Sequence, residues 1–414
     1  MADSIKSGRI IDSVVCLSDA TQSYAAYVPV RAGRLPILYL FDSHGKGSLP
    51  VSRYTSLADT YGFILVCSNN SKNGNDYITS DHIWTALSGD TRQRLAVDTA
   101  RVYTCGFSGG AKVAGYLAIM HPEIKGVILN GAGLPDGAPV DNFDFDLTLL
   151  TGEGDLNMTD MAALDDRLDS TRTRHRLLFF DGKHEWAPLA TMNTALAGLQ
   201  LDAMRRGLAP KDSGFISRYV SESRAKIDAD RAASQWIYAE RACIISRSFL
   251  DGLSTDVSWF EKSAASIAGN PAYKKLREEQ RVMLSREQEA KDAYMTHFDR
   301  PEKAYWSGVI DSLARAGASG GLRGAMAQRL SAFLSLEFYS YSSHLVSSHD
   351  DEAARYFTDL YKLVDPTNSE AWYLSAVLYA RGGQRQAAAA ELRKAMDLGF
   401  NDPGRVAEVQ RLLQ

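Results

Sequence analysis

Apolar residues in the first half of the chain come in short runs separated by turn residues. Eight such runs predict strands at residues 13–17, 24–30, 36–42, 63–68, 101–106, 126–130, 147–151 and 175–180. They are short and rich in Val, Ile, Leu, Tyr and Phe. Several are almost continuously apolar, the pattern of strands covered on both faces. Between them, spacing near the helical period predicts helices over 51–61, about 81–95, 109–120 and 158–168, with a closing helix over 192–206. Strands alternating with helices predict a mostly parallel sheet built from βαβ crossovers.

The pattern changes near residue 210. Residues 208–214 are rich in turn formers and read as a linker. Beyond them the strand signal ends, and residues 215–414 read as successive helices, with breaks at Gly269-Asn270-Pro271 and between Gly317 and Gly324. In the last 80 or so residues, Ala371-Trp372-Tyr373 is followed by Ala376, Tyr379, Gly383, Ala388, Leu392 and Ala395. Small residues at 376, 388 and 395 let two helices approach closely while the larger ones fill the gaps. The spacing resembles a tetratricopeptide repeat, and residues 338–345 with 353–364 resemble the repeat before it. Ser375 stands where that repeat usually has Leu, and Phe400 where it ends in Pro. The expected organisation is an α/β domain over 1–210, a helical region over 211–330 and tetratricopeptide-like helices over 331–414.

Composition narrows the function classes. The 414 residues are 45% hydrophobic and 23% charged, which excludes disorder as a description of the whole chain. Net charge is −4, and no run of five or six like charges suggests a nucleic-acid arm or a membrane-surface patch. No apolar stretch reaches the roughly 18 residues of a membrane span. The start, Met1-Ala2-Asp3-Ser4-Ile5-Lys6, lacks a signal-peptide core, so the expectation is a cytoplasmic protein or one whose leader has been removed. Cys16, Cys67, Cys105 and Cys243 form no CxxC pair; the first three fall in apolar runs and read as buried small hydrophobes.

The chemistry-bearing motif is Gly106-Phe107-Ser108-Gly109-Gly110, a GxSxG pentapeptide between the run 101–105 and the helical segment from Ala111. Strand, sharp turn and helix in that order lift a serine hydroxyl above a sheet edge and aim the first helical N–H groups at it. A serine hydroxyl needs a base to become a nucleophile. At such a turn the partners come later in the chain, acid then histidine. The loop Gly152-Glu153-Gly154-Asp155 comes after the run 147–151 and offers Asp155 as the acid, with Glu153 the alternative. The loop Asp181-Gly182-Lys183-His184-Glu185-Trp186 comes after the run 175–180 and offers His184. His82, His121, His175, His297, His344 and His349 read as surface or packing residues.

Asp42-Ser43-His44-Gly45-Lys46-Gly47 lies at the end of the run 36–42. Such a loop can give the second N–H of an oxyanion hole, from His44, Gly45 or Lys46, beside that of Gly109. It lacks the GxxxxGK[ST] spacing of a phosphate loop. Phe41, Phe107 and Trp186 are candidate substrate-pocket walls, with core packing the competing reading.

Residues of about 10–210 resemble an α/β-hydrolase, and more narrowly the feruloyl esterase and polyhydroxybutyrate depolymerase-like group. The resemblance is carried by Gln22-Ser23-Tyr24-Ala25-Ala26-Tyr27-Val28-Pro29, by Arg101-Val102-Tyr103 leading into the GxSxG turn, and by His184-Glu185-Trp186. It implies hydrolysis of carboxylic esters through an acyl-enzyme, with Ser108, Asp155 and His184 as triad and no metal or organic cofactor. It also implies a small-molecule or carbohydrate-linked ester substrate, such as an acylated carbohydrate or a hydroxycinnamate ester. Many such proteins are secreted, which favours an extracytoplasmic site with the leader removed. The loop 42–47 departs from the simpler His-Gly turn of the group, no large lid is evident before the acid, and the helical half is not part of the group's pattern. Two other readings remain: a tetratricopeptide-type module that docks a protein partner on a weakly active or inactive hydrolase scaffold, and a serine peptidase.

Overall fold

The computed structural model describes residues 5–253, 256–300 and 302–413; the start of the N-terminal segment, Met1 to Ser4, lies outside them. All eight predicted strands form: β1 (Ile10–Val15), β2 (Ser23–Tyr27), β3 (Leu35–Phe41), β4 (Ile64–Ser68), β5 (Val97–Phe107), β6 (Ile124–Asn130), β7 (Asp146–Gly152) and β8 (His175–Phe180). They make one sheet in the order β1-β2-β4-β3-β5-β6-β7-β8. β2 runs antiparallel to β1 and β4, and every pairing from β4 through to β8 is parallel. Helices α1 (Ser48–Tyr61), α2 (Tyr77–Arg94), α3 (Gly109–Met120), α4 (Met158–Leu168) and α5 (Leu189–Arg205) fill the crossovers and the far end. This is the α/β-hydrolase fold, with an all-helical region after it.

The apolar continuity of the strands has a direct cause. Along β3, Ile37, Tyr39 and Phe41 enter one core with α2, α3 and α4, through Trp84, Leu117 and Met161. Leu38 and Leu40 enter the other with α1 and α5, through Val51, Tyr54 and Leu196. With a side-chain period of two, a strand buried on both faces has no polar register. Cys16, Cys67, Cys105 and Cys243 are all free and buried. β1 begins and ends earlier than the expected 13–17, and Leu17 is exposed just past its end. α2 starts before the expected 81 because the Asp76 side chain accepts from Thr79 N and caps it.

The turn-rich residues 208–214 connect α5 to α6 (Ser213–Ala232), and α7 (Trp236–Leu250) and α8 (Ser258–Gly269) come next. The chain divides into two compact units between Glu278 and Glu279, so these three helices belong with the α/β layers. α7 is held to the sheet by buried charge and close packing. Arg176 on β8 pairs with Asp202 on α5 at 2.7 and 2.8 Å, donates to Ser248 Oγ at 3.0 Å and lies 4.3 Å from the Phe249 ring centroid. Arg174 reaches Asp251, just beyond α7, at 2.9 Å.

Helix α9 (Pro271–His297) begins in the first unit and ends in the second. The second unit, residues 279–414, also contains α10 (Lys303–Gly317), α11 (Gly321–Ser347), α12 (Asp351–Val364), α13 (Ser369–Arg381), α14 (Arg385–Asp397) and α15 (Pro403–Leu412). Its core has an aromatic part around Trp306, Phe298, Phe338 and Phe357, and a second part in which Ala376, Ala388 and Ala395 bring α13 against α14. The two positions that depart from the repeat pattern are both used: Ser375 accepts from Lys362 Nζ at 3.2 Å, and Phe400 stacks on Tyr373 at 4.4 Å between centroids. Among the described residues no helix is long and apolar enough to cross a membrane.

The seam between α5 and α7 yields a test. A Cβ at Gly198 would lie 2.1 Å from Phe249 Cε1. In an open helix, Gly→Ala gains about 1 kcal/mol; here overpacking costs about 1–3 kcal/mol. Gly198→Ala is therefore expected to lower the free energy of unfolding in urea rather than raise it. A stabilised variant would show that the helices do not approach this closely.

Candidate active site

The turn after β5 is set by three backbones in close approach. Ser108 has φ +55° and ψ −124°, a conformation rarely adopted by a residue with a Cβ. A Cβ at Gly106 would lie 1.9 Å from the Gly110 carbonyl oxygen, and one at Gly110 would lie 2.0 Å from that of Phe41. Neither obstruction is a movable side chain, so glycine is required at both positions. Ser108 N donates to Asn130 O at 2.9 Å, which ties the turn to the end of β6. The side chain stands at the head of α3, where the first helical N–H groups have no partner inside the helix.

His184 Nε2 lies 2.9 Å from Ser108 Oγ. On the other side of the ring, Nδ1 lies 3.0 Å from both carboxylate oxygens of Asp155. An ionised carboxylate only accepts, so Nδ1 carries the hydrogen and Nε2 is free to accept from the serine hydroxyl. Asp155 is fully buried, and its Oδ1 also accepts from Asn157 N at 2.9 Å. The three residues singled out from the sequence thus stand in one hydrogen-bonded line. Glu153, the alternative acid, turns away and pairs with Arg241 of α7 at 3.0 Å.

The supporting groups come from the ends of neighbouring strands and from α1. Asn130, fully buried at the end of β6, donates to Glu185 O at 3.2 Å and accepts from Ala187 N at 2.7 Å. Tyr54 OH donates to Ala187 O at 2.8 Å. Trp186 Nε1 donates to Asp42 Oδ2 at 2.9 Å. The residue missed by the sequence reading is Asn130. A buried amide ending a strand that is otherwise apolar is the signal that could have found it.

The loop after β3 is organised by Asp42. Its Oδ1 accepts from His44 N at 2.9 Å and Lys46 N at 3.2 Å, and its carbonyl accepts from Gly45 N at 3.3 Å. All three amides considered for the oxyanion hole are therefore turned on to Asp42 in this structure. Of the three candidate pocket walls, Phe41 and Trp186 are core residues. Phe41 is fully buried, because its place in β3 directs it into the core below α3. Trp186 is 4% exposed and held by Asp42, with Tyr54 against its ring. Phe107 is half-buried, 4.8 Å from the His184 ring centroid, and is the one of the three beside the reacting groups. Four of the six histidines that read as surface or packing residues find local partners: His82 with Asp19, His121 with Asp81, His175 with Asp169, and His297 stacked on Tyr305. Among the described residues no group of three or more His, Cys, Asp or Glu could hold a metal ion.

No protein-family model and no curated protein matches the chain. Solved structures do. A hyperthermophilic esterase from Pyrobaculum calidifontis is 14% identical, with a TM-score of 0.37, over 48% of this chain and 85% of its own. An S-formylglutathione hydrolase from Staphylococcus aureus is 11% identical, with a TM-score of 0.35, over 48% and 98%. A ferulic acid esterase is 14% identical, with a TM-score of 0.36, over 45% and 94%.

The Asp42 carboxylate gives a prediction independent of any substrate. Asp42→Asn keeps the shape but leaves one acceptor oxygen for the three donors His44 N, Lys46 N and Trp186 Nε1. An unsatisfied buried donor costs about 1–3 kcal/mol. Urea unfolding of the variant is expected to show a loss of that size.

Proposed function

We propose that the protein is a serine hydrolase that cleaves carboxylic esters through an acyl-enzyme. The observation that carries this reading is the line from Ser108 Oγ through His184 to buried Asp155, with contacts of 2.9 and 3.0 Å. In this reading His184 Nε2 takes the Ser108 proton as Oγ attacks the carbonyl carbon. Asp155 keeps Nδ1 protonated and stabilises the imidazolium as it forms. The proton then passes from Nε2 to the leaving alcohol oxygen. Water, deprotonated by the same nitrogen, attacks the acyl carbon, and Ser108 recovers its proton as the acid departs.

The oxyanion that forms twice in this cycle takes one donor from Gly109 N–H, at the head of α3. The second comes from the loop after β3. For His44, Gly45 or Lys46 to serve, its N–H must exchange Asp42 for the substrate oxygen. Each donor is worth about 3 kcal/mol in the transition state. That exchange makes Asp42 a competitor for the hole and a brake on the resting enzyme. The finer substrate class, an acylated carbohydrate or a hydroxycinnamate ester, rests on the sequence resemblance, as does an extracytoplasmic site. Docking of a protein partner by the helices of 331–414 rests on their resemblance to tetratricopeptide repeats.

Labelling with a fluorophosphonate tests the reading. The wild-type chain is expected to be labelled and Ser108→Ala to be inert. With p-nitrophenyl acetate, Asp155→Asn is expected to lower kcat by a factor on the order of 10⁴, because the histidine is then held in the wrong tautomer, whereas Glu153→Gln is expected to cost far less. A folded wild type that takes no label would transfer the proposal to the partner-docking reading.

A further inference from the structure

We propose that Arg241, on helix α7 outside the α/β layers, is a positioning residue that holds the Asp155 and His184 loops in register. The inference rests on the reading of Ser108, His184 and Asp155 as a catalytic line. It gives the first helices after the α/β layers a part in the reaction.

Arg241 touches the loop that carries the acid and the end of β8, the strand that leads into the loop of the base. Nη1 lies 3.0 Å from Glu153 Oε1, two residues before Asp155. The guanidinium carbon lies 3.6 Å from the centroid of Phe179, five residues before His184. The two loops are themselves joined. The β7–β8 ladder continues past the strand ends, with Glu153 N donating to Phe180 O at 2.9 Å and Gly154 N to Gly182 O at 2.8 Å. Arg241 therefore closes a ring of contacts at the root of the two loops that carry Asp155 and His184. Arginine suits the place because one planar group can pair with a carboxylate at its edge and stack on a ring by its face.

The clamp is shielded from solvent. The Arg241 side chain is 16% exposed and that of Glu153 23%. Burial works against the Arg241 charge, and Glu153 is the first group that supports it. Tyr238, one turn earlier on α7, also hydrogen-bonds Glu153, and its own hydroxyl is pushed up first by burial and then by that carboxylate. The helix does not depend on Arg241 for its seat, because Arg176, Ser248, Phe249 and the Arg174–Asp251 pair hold it farther along. Removing Arg241 thus leaves α7 docked and takes one hold from the acid loop. Asp155 is fully buried, so a displaced carboxylate has no solvent to compensate for the lost contact with Nδ1. The loss falls on the reaction step, since no contact of Arg241 reaches the place where substrate meets Ser108.

The experiment compares Arg241→Met, Arg241→Lys, Glu153→Gln and Arg224→Met in the full chain. Arg224 on α6 pairs with Asp256 and lies over Trp259 of α8, so its variant loosens the neighbouring helices away from the loops. With p-nitrophenyl acetate, Arg241→Met is expected to lower kcat on the order of tenfold while KM stays within about twofold, the signature of misplaced rather than missing groups. Glu153→Gln is expected to move the same way, and Arg241→Lys to recover part of the loss. Hydrogen exchange of residues 152–157 and 181–185 is expected to quicken in Arg241→Met and not in Arg224→Met. The proposal is overturned if Arg241→Met keeps wild-type kcat and exchange, or if Arg224→Met reproduces its loss. Should the wild type take no fluorophosphonate, the hydrolase reading fails by itself, and the exchange comparison still decides whether the clamp exists.

Discussion

The close approach of three backbones at Ser108 is the constraint on which the rest of the site depends. Gly106 passes over the Gly110 carbonyl, Gly110 passes over that of Phe41, and Ser108 is left at φ +55° between them. A conformation of this kind costs on the order of 1–3 kcal/mol and persists only where the surroundings over-determine it. Here the surroundings are the central strands. β5 lies between β3 and β6, so the Phe41 carbonyl blocks one side of the turn and the Asn130 carbonyl anchors its amide on the other. The serine hydroxyl stands above the sheet because the chain has no other way through.

Parallel pairing does the rest of the assembly. When neighbouring strands run the same way, their carboxyl ends come out along one edge, and the polar residues there can meet. Asp42, Asn130, Asp155 and His184 come from the ends of β3, β6, β7 and β8. Each serves a neighbour: Asp42 holds Trp186, Asn130 holds the main chain of 185 and 187, and Asp155 holds His184. The His184 loop is thus fixed from three strands, which is how a loop can place an imidazole to hydrogen-bond accuracy. The same edge explains the competition at Asp42, whose carboxylate satisfies the amides that an oxyanion would need.

The helices after residue 210 have two distinct characters. α6, α7 and α8 complete the first compact unit, and α7 adds a guanidinium against the acid loop. The second unit is built on its own core, with small residues setting the α13–α14 spacing and a buried Arg329–Glu287 pair at 2.6 Å inside it. A buried pair of this kind is weak evidence of stability, but breaking it by removing one partner is costly.

Local pattern along the chain was enough to read the strands, the order of the chemistry-bearing loops and the residues Ser108, Asp155 and His184 as the ones to look for. Alternating short apolar runs predict βαβ units whatever their order in the sheet, and a GxSxG turn between strand and helix carries its own geometric demand. Asp155 and His184 were legible because each sits in a polar loop directly after an apolar strand. Which neighbour each polar group would meet was settled by packing. Glu153 and Asp155 lie two residues apart in one loop, and sequence preferred the second without separating them by contact. The fold separates them, because one faces Arg241 and the other His184. Phe41 and Trp186 read as core before pocket wall, and strand register and the Asp42 carboxylate made them core. The unit boundary at 278 rather than near 210 was likewise invisible, since α6 to α8 have the same helical pattern as the helices of the second unit. Local pattern records the propensity of a segment; the partner that satisfies a buried charge or amide comes from residues tens of positions away, and only the packed chain brings it there.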